Sequence, residues 1–319
     1  MRKNFLLILR IIVSLAILFV LFKYIDYKRL LQTYRDSKKI YLFGGFLAML
    51  LANLIAGFRW RFLLGSLGKK ISRKEALSAF FSGLFFNILV PSFIAGDIFR
   101  GASISYRHGD AKKVASSVLM DRFSGAIALI LISVLAFILG FSVVPAGQVI
   151  VPLAILCLVA GLIVLIICSR GFFLSLTRIL GKKPVLRQKL VELHDHLYSF
   201  KQKPGIFLKS LIYSLTIQFL TVISFFIVSR AFGLELGIIY FLIFVPIAMA
   251  IVFIPITIAG FGTREWAIVY LFSLVGVDKS VAAGISFLNG IFLIFLSLLG
   301  GILYVTVYHR WIQSHSRHR

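Results

Sequence analysis

Asp97, Arg100, Asp121, Arg122, Arg264 and Glu265 are ionisable residues within or beside long apolar runs of a 319-residue chain. Charged side chains are costly in such surroundings, so they pair with one another or line a polar cavity. Arginine binds phosphate through two parallel N–H bonds, and a helix broken at its tip adds unsatisfied N–H groups nearby. The expected chemistry is therefore non-covalent capture of an anionic headgroup. Arg100, Arg122 and Arg264 would hold the phosphate, and Asp97, Asp121 and Glu265 would orient them or carry protons. Arg59 closes an apolar run as Arg59-Trp60-Arg61. It reads either as an interfacial anchor beside tryptophan or as a first contact for lipid phosphate. Asp97–Arg100 and Asp121–Arg122 also read as plain ion pairs that lock a fold.

These residues stand on two related stretches. The first runs from Asn87 through Pro91 and Ala95-Gly96 to Asp97 and Arg100. The second runs from Pro255 through Ala259-Gly260, Phe261 and Gly262 to Arg264 and Glu265. Pro91 and Pro255 lie 164 positions apart, about half the chain. The likeness continues as Gly109-Asp110 with Lys113-Val114-Ala115, and as Gly276 with Asp278-Lys279-Ser280-Val281-Ala282. Self-similarity at this distance predicts two repeats, each with a helix broken at a Pro/Gly tip. Asn87, Pro91, Gly96, Pro255, Gly260 and Gly262 are the expected tip residues, the glycines permitting close backbone approach.

The surroundings explain why so few polar residues draw attention. Sixty per cent of the residues are hydrophobic, 14% are charged, and the mean hydropathy is +1.00. Runs of about 20 apolar residues predict transmembrane helices. Full spans are expected at Phe5–Phe22, Ile40–Phe58, Val114–Leu139, Val149–Cys168, Phe207–Ser229 and Val281–Val307. The first lacks a small-residue cleavage site after it and reads as a retained span. Ala76–Ala95 and Leu236–Ala259 run into the two tips, either crossing with a short return helix or dipping in as re-entrant hairpins. The expected fold is thus an all-α polytopic membrane protein of about eight segments, six spans and two re-entrant hairpins. It forms one integral membrane domain over 1–319, with repeats at 40–140 and 207–308 and an amphipathic connector at 170–206.

The net charge of +24 does not signal nucleic acid, because no recognition motif accompanies it. Lys and Arg gather in the loop after the second span and in 170–203, whereas 141–148 is uncharged. Putting the basic loops in the cytoplasm puts both termini there and gives the two repeats opposite orientations, as in transporters. The basic loop 23–39 dissents. Leu186, Leu190, Leu193 and Leu197 mark an amphipathic helix on the inner leaflet. His194 and His196 within it point to different faces and read as solvated surface, not as a metal pair. Cys157 and Cys168 lie about 16 Å apart on one helix, too far to bridge. No P-loop, HExxH or CxxC occurs, so neither an ATPase nor any other enzyme class is indicated, and no cofactor or metal is expected.

Arg59-Trp60-Arg61, the run from Asn87 to Arg100, Asp121-Arg122 with Gly125, and the run from Pro255 to Glu265 occur in an order that resembles the transmembrane, flippase-like region of lysylphosphatidylglycerol synthases. The likeness covers roughly 40–308. It implies re-entrant helices around a cavity open to lipid and a role in moving or handling lipids in the cell (inner) membrane. Two departures stand out. Ala95-Gly96 replaces the glycine-richer first tip, and the C-terminal domain that makes lysyl-lipid is absent, so synthase activity is not carried over and a stand-alone member is expected. The expected partners are membrane lipids, anionic or phosphate-bearing. An accessory subunit presenting lipid to a separate lipid-modifying enzyme, a membrane-embedded lipid transferase, and a homo-oligomer stay open beside the flippase reading.

Overall fold

The computed structural model describes residues 38–90, 94–177, 184–198, 203–252 and 262–309. The expected span Phe5–Phe22, the loop 23–37, the tail beyond residue 309 and the tip residues Pro91, Pro255 and Gly260 lie outside them. All regular structure among the described residues is helical. The helices are α1 (Lys39–Ser66), α2 (Arg73–Leu89), α3 (Ala95–His108), α4 (Ala111–Leu139), α5 (Ala146–Cys168), α6 (Arg170–Thr177), α7 (Pro184–Tyr198), α8 (Pro204–Ala231), α9 (Ile238–Ile251), α10 (Thr263–Ser273) and α11 (Lys279–Leu303). A π-helical turn, Tyr304–His309, extends α11. Their ends follow local chemistry. Ser72 accepts from the Glu75 N–H, Pro204 opens α8, and Asp278 accepts from the N–H groups of Ser280 and Val281.

Five of these helices, α1, α4, α5, α8 and α11, are long and apolar enough to cross a membrane. They coincide with the five expected spans that fall on described residues, and they make this a multi-pass membrane protein. The 14 residues of α9 reach about 21 Å, short of the roughly 30 Å hydrocarbon layer.

Helices α2 and α3 form an antiparallel hairpin pinned at both ends. At its base, Glu75 accepts from Arg107 Nη1 at 2.9 Å and lies 2.7 Å from His108 Nε2. Near its tip, the Gly96 N–H donates to Asn87 Oδ1 at 2.7 Å, and Phe86 stacks on Phe99 with centroids 4.1 Å apart. Between these points the backbones nearly touch: a Cβ on Gly96 would stand 2.0 Å from the Gly83 carbonyl oxygen. Only two facing glycines allow this approach. Gly96→Ala is therefore expected to open the hairpin and to cost about 1–3 kcal/mol. Gly101→Ala, whose new methyl meets nothing nearer than a Val118 methyl at 3.8 Å, is the control. Thermal midpoints of the two variants in detergent check this.

Helices α1 and α8 run antiparallel along one seam. Gly45 lies against Ser224 and Val228, while Arg59 reaches Ser214. Around that seam the packing is reciprocal. Helix α2 packs on α11 and α9 on α4; α3 on α4 and α10 on α11; α1 touches α11 and α8 touches α4. Exchanging α1–α4 with α8–α11 maps the main helix–helix contacts among these eight helices onto one another, the α1–α8 contact onto itself. The two interiors differ in character: Phe225, Phe241, Phe244 and Phe272 fill a large apolar core in the second half, which buries one ion pair, whereas the first buries a chain of linked charges.

The connector is less solvated than its sequence suggests. Helix α7 packs on α4, and Lys112 forms an ion pair with Glu192. His194, expected on a solvated face, is buried. Its ring stacks on Phe173 at 4.1 Å, and Nε2 lies 2.8 Å from the Ile166 carbonyl oxygen. The neighbouring apolar face of α7 draws it inward, while Asp195 stays outside and pairs with Arg170 at 3.0 Å.

Candidate functional site

A cavity of about 330 Å³ lies beside the α1–α8 seam and under the α2–α3 hairpin. Its walls include Arg59 from α1, Asn87 from α2, Gly96, Asp97 and Arg100 from α3, Asp121, Arg122 and Gly125 from α4, Gln218 from α8 and Arg264 from α10. All four arginines expected to meet a headgroup thus line one space, three from the first half and one from the second. Asp97 and Asp121 line it too. Glu265 stands behind Arg264, and Gly262 lies at the helix start behind both.

The charged side chains of the first half form a chain of alternating sign. Arg59 Nε donates to Asp121 Oδ1 at 2.7 Å, and Arg100 Nη2 donates to Asp121 Oδ2 at 2.8 Å. Arg100 Nε donates to Asp97 Oδ1 at 2.9 Å, and Arg122 Nε donates to Asp97 Oδ2 at 2.6 Å. Each carboxylate therefore binds two guanidinium groups, one on each oxygen. Such alternation is what makes buried charge tolerable, since both carboxylates and the central Arg100 each gain two oppositely charged partners. Arg59 Nη1 also donates to Ser214 Oγ at 2.7 Å, which ties the chain to α8. The guanidinium of Arg100 lies 4.8 Å from the Trp60 ring centroid and 5.5 Å from that of Phe80, both favourable placements for a cation. One donor is left over: Arg100 Nη1 is fully buried and has no hydrogen-bond partner.

Two expectations are corrected here. Asp121 and Arg122 do not pair with each other, because adjacent residues of a helix point about 100° apart; Asp121 turns to Arg59 and Arg100, and Arg122 to Asp97. Arg59-Trp60-Arg61 is not an interfacial anchor either. Helix α1 continues to Ser66, Arg59 is 7% exposed and Trp60 wholly buried. Trp60 Nε1 donates to Ser117 Oγ at 3.2 Å, and Arg61 Nε to the Ile71 carbonyl at 2.9 Å.

The second half contributes a pair of adjacent residues. Arg264 Nε donates to Glu265 Oε1 at 3.0 Å, and Glu265 Oε2 accepts from the Gly262 N–H at 2.7 Å. Gly262 has φ of +90°, a conformation that side chains resist, so its glycine shapes the start of α10. Asn53, Gln218, Thr221 and Ser297 also line the cavity and were missed from sequence. An amide inside an apolar span, as at Asn53 and Gln218, is the signal that marks such positions. Among the described residues no three His, Cys, Asp or Glu side chains gather where they could share a metal ion.

A family model described as the lysylphosphatidylglycerol synthase TM region matches residues 7–301. Two archaeal relatives are similar over nearly their whole lengths. One, a UPF0104 membrane protein of Methanocaldococcus jannaschii, is 20% identical over 322 residues, with 95% of each chain covered. The other, a UPF0104 membrane protein of Pyrococcus horikoshii, is 22% identical over 325 residues, covering 92% of this chain and 95% of its own. No solved structure matches the chain.

Proposed function

The chain belongs to the lysylphosphatidylglycerol synthase TM region family, and on that premise we propose that it moves a phosphate-bearing lipid, a phospholipid or a polyprenyl-linked one, between the leaflets of the cell membrane. The observation that carries this reading is the convergence of Arg59, Arg100, Arg122 and Arg264 on one cavity. Guanidinium groups from both halves then hold the headgroup phosphate while the hydrocarbon tails stay in the bilayer. Asp97 and Asp121 keep the arginines oriented in its absence. No chemical step on the lipid is assigned to these residues.

We further propose that the halves are inverted repeats and that α2–α3 is re-entrant. The antiparallel α1–α8 seam and the reciprocal contacts around it support the first. The pinned hairpin, whose ends return to one level at Glu75, Arg107 and His108, supports the second. Alternating exposure follows from two equivalent packings of such halves about a fixed site. The basic loops support a topology with both termini in the cytoplasm.

Leaflet exchange in liposomes tests the reading. Purified protein is reconstituted with fluorescent anionic, zwitterionic and aminoacylated phospholipids and a polyprenyl phosphate, and the outer label is quenched chemically. Extra quenching of one lipid class is expected, slowed at least about tenfold by Arg264→Gln, a loss of roughly 1.4 kcal/mol or more. A folded Arg264→Gln protein that exchanges lipid at the unaltered rate overturns this role for the cavity. Lipid retention without exchange by the unaltered protein would instead favour presentation of lipid to a separate enzyme.

A further inference from the structure

Resting on the headgroup role proposed above, we propose that the cavity reads the charge of the phosphate it holds. It accepts a singly charged phosphodiester in preference to a doubly charged phosphomonoester, and Asp97 is the residue that sets this preference.

The charge inventory carries the proposal. Arg59, Arg100 and Arg122 face Asp97 and Asp121, three cations against two anions, while Arg264 is matched by Glu265. Among the described residues no lysine, histidine or further ionisable side chain lines the cavity. The segments 91–93 and 253–261, next to the lining residues in sequence, contain no ionisable residue. The described lining therefore carries one positive charge more than its carboxylates. In surroundings of low dielectric, one negative charge neutralises that excess, whereas two leave an unbalanced anion. A second observation independently points to an oxyanion: the buried Arg100 Nη1 lacks an acceptor, and a phosphate oxygen supplies one. A phosphodiester has a single acidic oxygen and carries one charge across the neutral range. A phosphomonoester loses its second proton near pH 6 and carries two charges above it.

Asp97 sets the balance because it is the carboxylate that the ligand meets first. Its side chain is 13% exposed against 4% for Asp121, and it bridges Arg100 to the more open Arg122. Removing its charge raises the excess from one to two and shifts the match to the dianion.

The test is binding in neutral detergent micelles, read as displacement of a fluorescent phosphatidylglycerol. Competitors are phosphatidylglycerol, a diester, and phosphatidic acid with the same chains, a monoester, at about pH 8 and about pH 5. At the higher pH the diester is expected to compete about 10- to 100-fold better. The gap is expected to close at the lower pH, where the monoester regains its proton and the diester keeps its charge and so reports any change in the protein. Asp97→Asn is expected to reverse the order at the higher pH. Equal competition there by the unaltered protein, or a gap that persists at low pH, overturns the charge-reading proposal and leaves the headgroup role standing. Failure of both lipids to bind overturns the headgroup role itself. If Asp97→Asn does not fold, the pH comparison on the unaltered protein still decides. Glycerophosphoglycerol, the same diester without chains, separates the sources: displacement by the lipid alone supports a lipid headgroup, and displacement by the soluble diester at equal concentration overturns it.

Discussion

Asp121→Leu is expected to abolish accumulation of folded protein, or to lower its stability by about 3–5 kcal/mol, the usual cost of removing one partner from a buried ion pair. Asp121 holds Arg59 and Arg100 on its two oxygens at 2.7 and 2.8 Å. Leucine of similar size leaves both guanidinium groups facing an apolar wall, and three cations then share the single carboxylate of Asp97. Arg59→Met combined with Asp121→Leu is expected to recover part of the loss, because it returns the network to an excess of one. The comparison is made on yield of monodisperse protein and on thermal midpoint in detergent. A double variant no more stable than Asp121→Leu alone would show that Asp121 acts by shape rather than by charge.

The second large effect is expected at Gly300, where α11 crosses α2. A Cβ there would stand 2.0 Å from the Phe81 carbonyl oxygen and 2.5 Å from its carbon. Both are backbone atoms of a helix, so neither can turn aside as a side chain would. Gly300→Ala must push the helices apart, opening the contacts of Phe85 with Gly301 and of Ser82 with the Gly300 carbonyl. Overpacking of this kind costs about 1–3 kcal/mol and more where backbone must move. Gly161→Ala in α5, with nothing within 4 Å, is expected to be neutral or slightly stabilising, since alanine is the better helix former. Equal midpoints for the two variants would mean that α2 and α11 are not in close backbone contact.

Much of this was legible in the sequence because lipid forces it to be. A span must be long, apolar and uncharged, so five spans could be placed, although α1 runs eight residues past the expected Phe58 to Ser66. The same pressure makes Arg100, Asp121 and Arg264 conspicuous, which is why the cavity residues could be picked out before their positions were known. Pairing was harder to read. Neighbours in sequence suggest Asp121 with Arg122, but helical rotation separates them and brings Arg59 across from a helix 62 positions away in sequence. Burial was misjudged at Trp60 for a related reason: Arg and Trp in apolar surroundings look alike whether they face lipid or turn inward towards Ser117. Glu75 gave no sign of its task, because nothing in a short basic loop announces that Arg107 and His108 will return to it.

The closed character of the charge network bears on how the protein is made. Arg59, Asp97, Arg100, Asp121 and Arg122 all belong to the first half of the chain, and their mutual bonds need nothing beyond α4. Synthesis proceeds from the N-terminus, so every buried charge of this network has its partner before α8 has left the ribosome. The Arg59–Ser214 bond, the contact of Ser82 with Gly300 and those of Ser224 with Gly45 and Asn289 are among those that wait for the later helices. The five side chains of this network are thus bonded to one another before the second half docks onto them through a seam of glycine and serine.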